Sequence, residues 1–298
     1  MEGLSKKKIF ITGISGFTGK HLEDFYKREG YSVFGTTYSK SENDNHFSCD
    51  ITNKNQIIGV FNTLKPDYII HTAAISFVAG DNQNEMYGVN VFGTLNLLEA
   101  LLECQINPQK ILIASSAAVY GNIGDILSED MCPQPVNHYG NSKLAMENMV
   151  KNYFSKLNIV ITRPFNYTGI GQAEIFLIPK IISHYKNKSS EIELGNINVF
   201  REFNDIDYLT NCYYKLLLSD VKSEVINVCS AKTSSISEIL SYMEEITDYK
   251  IKTKINPKFI RKNEIKSLKG STQKLYSIID DFSSRYSMKK TLEKMYFS

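Results

Sequence analysis

Tyr139 and Lys143 set a phenol and an ammonium four residues apart, within Tyr139-Gly140-Asn141-Ser142-Lys143. The segment from Tyr139 to about Leu157 reads as a helix, on which positions i and i+4 share a face. A free phenol ionises near ~10, too high for ready proton exchange at neutral pH. A cation held beside it favours the phenolate. The pair is a candidate general acid–base unit, although the same spacing also occurs on solvated helix faces. A second set of residues suits anion binding. Gly13, Gly16 and Gly19 lie within Gly13-Ile14-Ser15-Gly16-Phe17-Thr18-Gly19. Glycines let the backbone approach a pyrophosphate, and a helix start adds N–H groups and a positive dipole end. The spacing is a variant of the two-and-three glycine pattern usual in dinucleotide-binding turns.

These residues need a frame. Lys8-Ile9-Phe10-Ile11-Thr12 is an apolar, β-branched run that leads into the glycines, and an amphipathic stretch from Phe17 to Glu29 follows them. The same rhythm continues, with strands predicted at Ile9–Thr12, Ser32–Thr36, Tyr68–His71, Ile111–Ser115 and Ile159–Thr162. Helices are predicted between them at Phe17–Glu29, Lys54–Leu64, Glu85–Cys104 and Tyr139–Leu157. Strand–helix alternation of this kind predicts an α/β class, a doubly wound parallel sheet covered on both faces. After Pro164 the rhythm loosens into helices near Ile175–Tyr185, Leu209–Leu218 and Ile236–Ile246, with strands at Glu191–Leu194 and Val225–Val228. We therefore expect a dinucleotide-binding domain over 1–165, joined by 200–230, and a smaller substrate-binding lobe over 166–199 and 231–298.

Composition narrows the partners. The chain has 298 residues, 42% hydrophobic and 22% charged, with a net charge of +2. That balance suits a soluble globular protein and argues against nucleic acid recognised by bulk charge. No run of 18 apolar residues occurs, so no membrane-spanning helix is expected, and the first residues hold no apolar stretch of signal-peptide type. Cys49, Cys104, Cys132, Cys212 and Cys229 are scattered without metal-ligand or redox spacing, which reads as free thiols in a reducing cytoplasm, and no metal site is visible. The helix carrying Tyr139 shows Met146, Met149, Val150, Tyr153 and Phe154 over a wide arc. Surplus apolar surface of that kind suggests a partner.

Taken in order, the motifs resemble the extended short-chain dehydrogenase/reductase family, in its nucleotide-sugar branch, nearly end to end. Thr12-Gly13-Ile14-Ser15-Gly16-Phe17-Thr18-Gly19 is similar to that family's cofactor turn, and Asp50-Ile51 to the pair that contacts adenine. His71-Thr72-Ala73-Ala74 resembles the strand end beside the cofactor, and Asn90-Val91-Phe92-Gly93-Thr94 the central helix motif. Ser115-Ser116-Ala117-Ala118-Val119-Tyr120-Gly121 resembles the catalytic serine strand, and Arg163-Pro164-Phe165-Asn166 the passage from cofactor to sugar nucleotide. The resemblance implies a triad of Ser116, Tyr139 and Lys143. Tyr139 would exchange the proton, Lys143 would tune it and hold the nicotinamide ribose, and Ser116 would bond the substrate oxygen. It implies cofactor contacts from Gly13, Gly16, Phe17, Thr18, Gly19, Asp50, Ile51, Ala73, Ala74, Asn90 and Pro164 as well. A homodimer through helices near 85–104 and 139–157 is implied likewise.

Within that branch the residues discriminate. Family dehydratases resemble one another in an acid after the catalytic serine, where this chain has Ala117 and Ala118. The 3,5-epimerase/reductases use a histidine near the sugar, which is missing from Tyr167-Thr168-Gly169-Ile170-Gly171-Gln172. An acid ending the second strand would select NAD(H). Here Tyr38, Ser39 and Lys40 stand there instead, and the first acid is Glu42. NADP(H) is therefore expected, with NAD(H) as the alternative. The resemblance is nearest to reductases acting on GDP-4-keto-6-deoxymannose. It implies reduction of the 4-keto group of a nucleotide-linked 4-keto-6-deoxyhexose, GDP- or dTDP-linked, for surface polysaccharide synthesis. Arg201 and Arg261 match the two phosphate arginines, with Asn166, Lys180 and Glu264 as further substrate contacts. An NAD-dependent nucleotide-sugar 4-epimerase and a catalytically inactive nucleotide-binding regulator remain as alternatives.

Overall fold

In a computed structural model, residues 6–76, 82–124, 126–259 and 267–298 are described. The chain divides into two compact units. The first comprises Met1–Gly121, Cys132–Arg163 and Tyr213–Ile226; the second comprises Asn122–Met131, Pro164–Cys212 and Asn227–Ser298.

The first unit is built on β1 (Lys8–Thr12), α1 (Phe17–Arg28), β2 (Ser32–Thr37), β3 (His46–Ser48), α2 (Lys54–Thr63) and β4 (Tyr68–His71). It continues through α3 (Gln83–Tyr87), a π-helical turn (Gly88–Gly93), α4 (Thr94–Glu103), β5 (Lys110–Ala114), α5 (His138–Lys151) and β6 (Ile159–Pro164). With β7 (Glu224–Val228) the strands form one seven-stranded sheet, in the order β7-β6-β5-β4-β1-β2-β3. The strand pairings from β3 through to β6 are all parallel. Strands buried on both faces lose polar alternation, and Ile9, Phe10, Ile11, Ile69, Ile70, Ile111, Leu112 and Ile113 are all fully buried. One continuous core joins this sheet to α2, α4 and α5 through Ile57, Phe61, Leu97, Leu101, Met146 and Val150.

From β1 the chain winds outward to β2 and β3, then returns past β1 to β4, β5 and β6. The strand order thus reverses between β1 and β4. In open α/β sheets the carboxyl ends of such a strand pair border the ligand crevice. Thr12 and His71 are register partners at those two ends.

Two predicted helices are shorter or less regular than expected. The segment expected as one helix over Glu85–Cys104 is α3, the π turn and α4. The helix carrying Tyr139 stops at Lys151 instead of running to Leu157. Much of its apolar arc is spent inside its own unit: Met146 and Val150 are fully buried, and the Tyr153 hydroxyl donates to Glu99. Met149 and Phe154 pack partly against the same core.

The second unit holds a four-stranded sheet ordered Thr233–Ser235, Phe200–Glu202, Ser267–Gly270, Ile126–Leu127. Helices Leu177–Lys186, Ile236–Thr247 and Met288–Tyr296 share a separate core of Ile178, Ile181, Ile239, Met243 and Leu292. Residues 200–212 belong to this unit and 213–226 to the first. Among the described residues, no helix is long and apolar enough to cross a membrane.

Candidate active site

The glycine turn is shaped by close approach. Gly13 has φ +71°, a backbone state that favours glycine, and a Cβ there would sit 2.9 Å from Cα of Ala73. The turn is closed by Gly16 N–H donating to Gly13 O (3.0 Å), and Ile14 N–H reaches back to Thr36 O of β2 (3.0 Å). Gly16 is the N-cap of α1, so no side chain covers the helix end. Phe17, Thr18 and Gly19 form its first turn. A close-packed backbone cradle at a bare helix start fits a dinucleotide pyrophosphate.

The other residues expected at the cofactor are placed around the same sheet end. Ala73 N–H donates to Thr12 Oγ1 (3.2 Å), and Ala74 follows on the same segment. Tyr38, Ser39 and Lys40 are exposed beyond β2, and the Thr37 hydroxyl donates to Ser39 O. Asp50 is half-buried and accepts from Thr52 N–H and Oγ1–H (2.9 and 2.7 Å). Ile51 is buried, in the space that a side chain on Gly93 would fill. Asn90 is buried on the π turn; its Oδ1 accepts from Ile75 N–H (2.8 Å), and its Nδ2 donates to Ile75 O and Ser142 Oγ (both 3.0 Å). Such π turns recur at functional sites.

Ser116 caps the 3-10 turn Ala117–Tyr120, its oxygen accepting from Ala118 N–H at 3.1 Å, which leaves the hydroxyl proton to donate elsewhere. The neighbouring Ser115 points away: it is buried and donates to Glu147 Oε1 at 2.5 Å. Asn137 caps α5 by accepting from Gly140 N–H (2.8 Å). Gly140 is pressed against the serine turn, since a Cβ there would meet Ala118 O at 2.6 Å. A side chain at 140 would therefore push the start of α5, and Tyr139 with it, away from the serine turn. Tyr139 is half-buried in the first turn of that helix. Lys143 lies one turn on, buried, with Nζ donating to Ala114 O at 2.8 Å. Burial pulls the Lys143 ammonium down to about 8, and the Glu147 carboxylate one further turn along opposes the fall. The structure thus gathers Ser116, the α5 pair Tyr139 and Lys143, the glycine turn and Asn90 into the first unit.

Glu147, and its pairing with the Arg163 of the Arg163-Pro164-Phe165-Asn166 motif, are not expected from the sequence reading. Arg163 Nε and Nη2 donate to the two Glu147 carboxylate oxygens at 2.9 and 2.7 Å, both side chains nearly or fully out of solvent. The guanidinium also lies over the Tyr120 ring, 4.8 Å from its centre. The available signal was an arginine inside the apolar strand Ile159–Pro164, since a buried guanidinium needs a buried acid.

In the second unit, Pro164 is buried at the end of β6. The exposed Asn166 donates from Nδ2 to Glu202 O (3.2 Å). Lys180 donates to Glu193 O (3.0 Å) and stands 5.1 Å from the Phe259 ring centre. Arg201 is half-buried, with Nη1 donating to Phe200 O (2.8 Å). Its neighbour Glu202 is locked by Gly270 N–H (2.5 Å) and Ser230 N–H (2.9 Å). Arg261 and Glu264 lie outside the described residues.

Comparison with known proteins agrees with this architecture. The family model described as "NAD dependent epimerase/dehydratase family" matches residues 9–229. A GDP-6-deoxy-D-talose 4-dehydrogenase from Aggregatibacter actinomycetemcomitans is 35% identical over 97% of each chain. A GDP-6-deoxy-D-mannose reductase from Pseudomonas aeruginosa is 28% identical over 91% of this chain and 90% of that one. Among solved structures, RMD from Pseudomonas aeruginosa complexed with NADPH superposes with a TM-score of 0.83, at 26% identity over 98% of each chain. This chain belongs to the NAD dependent epimerase/dehydratase family, the extended short-chain dehydrogenases/reductases, and is an NAD(P)-dependent oxidoreductase.

Proposed function

We propose that the enzyme reduces the 4-keto group of a GDP-linked 4-keto-6-deoxyhexose with NADPH, giving a GDP-linked 6-deoxyhexose of the talo configuration for surface polysaccharide synthesis. The observation that carries this is the near full-length likeness to the GDP-6-deoxy-D-talose 4-dehydrogenase, in a chain that itself holds Ser116, Tyr139 and Lys143. When bound, NADPH supplies the hydride to C4. Tyr139 gives its hydroxyl proton to the C4 oxygen, so the ketone gains one hydride and one proton and becomes an alcohol. Ser116 donates a hydrogen bond to the same oxygen, and the Lys143 ammonium stabilises the phenolate that remains. Arg201 and Arg261 bind the diphosphate, with bidentate donors suited to phosphate oxygens. Asn166, Lys180 and Glu264 contact the rest of the sugar nucleotide, and Pro164 borders the cofactor. On this reading the enzyme works in the cytoplasm, where GDP-sugars are made.

The test is direct. With GDP-4-keto-6-deoxymannose, NADPH should be consumed and proton NMR should show a product whose C4 hydroxyl is axial. An equatorial hydroxyl would reassign the configuration. No reduction, with tightly held NAD interconverting 4-hydroxyl sugars, would make the enzyme a 4-epimerase.

NADP preference is supported by the end of β2, which offers Tyr38, Ser39 and Lys40 and no acid before Glu42. We expect kcat/KM for NADPH to exceed that for NADH. Lys40→Ala should narrow the ratio by about two- to fivefold, the scale of an exposed charge contact. A strong NADH preference would refute the assignment.

Assembly follows the family pattern on this reading. Phe92 on the π turn is 59% exposed, and Met149 and Phe154 are half-buried. A symmetric dimer would cover such a patch with its own copy. Light scattering should give twice the chain mass of 33.9 kDa; a single-chain mass at micromolar concentration would exclude the dimer.

A further inference from the structure

His71 is buried between two threonines. Its Nδ1 lies 2.7 Å from Thr12 Oγ1 and its Nε2 lies 2.8 Å from Thr94 Oγ1. The direction of each bond follows from proton counting. A carbonyl only accepts, so the Thr94 hydroxyl proton is spent on Asn90 O at 2.8 Å. Thr94 Oγ1 can then only accept from His71, which puts the imidazole proton on Nε2. Nδ1 keeps its lone pair and accepts the Thr12 hydroxyl proton. Thr12 Oγ1, its proton given away, accepts Ala73 N–H. The chain of bonds runs one way from Ala73 through Thr12 to His71, and on through Thr94 to the Asn90 carbonyl.

The bonds continue without conflict. Asn90 Nδ2 donates to Ser142 Oγ, and the Ser142 hydroxyl donates to Tyr139 O at 2.8 Å. The Asn90 amide orientation is forced as well, because Ile75 N–H requires Oδ1 and Ile75 O requires Nδ2. A doubly protonated ring would offer Thr12 a second donor and leave the Thr12 proton without its acceptor. Burial and the Lys143 ammonium hold the His71 imidazole neutral, down to about 3.

We propose that His71, as its Nε2–H tautomer, is a positioning residue that registers the glycine turn beside Ala73 to the helix bearing Tyr139, through Thr12, Thr94, Asn90 and Ser142. The proposal rests on reading this sheet end as the cofactor site. It differs from packing alone because it needs hydroxyls, not methyls, at 12 and 94.

Two measurements test it. Long-range proton–nitrogen NMR on histidine-labelled protein, with His71 assigned by His71→Asn, should show a neutral Nε2–H ring between about pH 5.5 and 9. An Nδ1–H ring, or protonation in that range, would overturn the proposal. Separately, NADPH and NADH dissociation constants are measured by fluorescence for two variants. Thr94→Val keeps the shape but strands the Nε2 proton, and should weaken binding about tenfold. Thr94→Ser loses a methyl but keeps the hydroxyl, and should bind as the wild type does. Wild-type binding by Thr94→Val, or equal weakening by both variants, would make this a packing effect and reject the relay. If the wild type binds neither dinucleotide, the cofactor reading fails while the tautomer result still stands or falls alone.

Discussion

We expect Tyr139→Phe to lower kcat by roughly 10²–10⁴, the usual worth of a positioned general acid. The phenyl ring keeps the packing of the half-buried side chain, so the cofactor dissociation constant and thermal midpoint should stay near wild type. On the proposed mechanism, the change removes the proton that reaches the ketone oxygen as the hydride arrives. Lys143 cannot substitute, because its Nζ already donates to Ala114 O and it sits buried behind the helix start. Stopped-flow and steady-state turnover with a 4-keto sugar nucleotide would measure the loss. Turnover retained within a few-fold would remove Tyr139 from the chemistry.

The second large effect should be on stability. Glu147→Gln leaves the Arg163 guanidinium buried, with a neutral amide where its counter-charge was. Removing one partner of a buried pair costs about 3–5 kcal/mol, mostly from the stranded charge. Ser115 also loses its carboxylate acceptor. Urea unfolding should report that loss. Replacing both members, as Glu147→Leu with Arg163→Met, should recover much of it, because apolar side chains of similar volume remove the desolvation cost. A single substitution costing under about 1 kcal/mol would show that the pair is solvated in solution.

Legibility in the sequence followed the physics of each element. Fully buried parallel strands such as Tyr68–His71 and Ile159–Pro164 announce themselves as apolar runs. The glycine turn and the Tyr139/Lys143 spacing are local chemistry, so they could be read directly. His46–Ser48 was missed because an edge strand of three residues with one aromatic has no periodicity to detect. The π turn Gly88–Gly93 escaped for another reason: a slip in hydrogen bonding leaves the apolar pattern nearly helical. In the second unit, two-residue strands such as Ile126–Leu127 and Asn204–Asp205 are too short for alternation. The helix Met288–Tyr296 buries only a narrow stripe with Leu292 and Met295 and is otherwise rich in lysine. The Glu147–Arg163 and Thr12–His71–Thr94 contacts join residues far apart in the chain, and spacing alone does not show which strands will be neighbours.

The order in which the chain leaves the ribosome now acquires a meaning. The first unit needs three separate segments, and the last, Tyr213–Ile226, emerges only after all of Pro164–Cys212. At ~5–20 residues per second, the wait is on the order of seconds. During it β6 has β5 on one side and no β7 on the other, an open apolar edge of the kind that recruits foreign strands. A stop codon after Arg163 would make that interval permanent. The first unit is therefore not a cassette that can be cut out and moved, because its sheet is finished by residues that lie beyond much of the second.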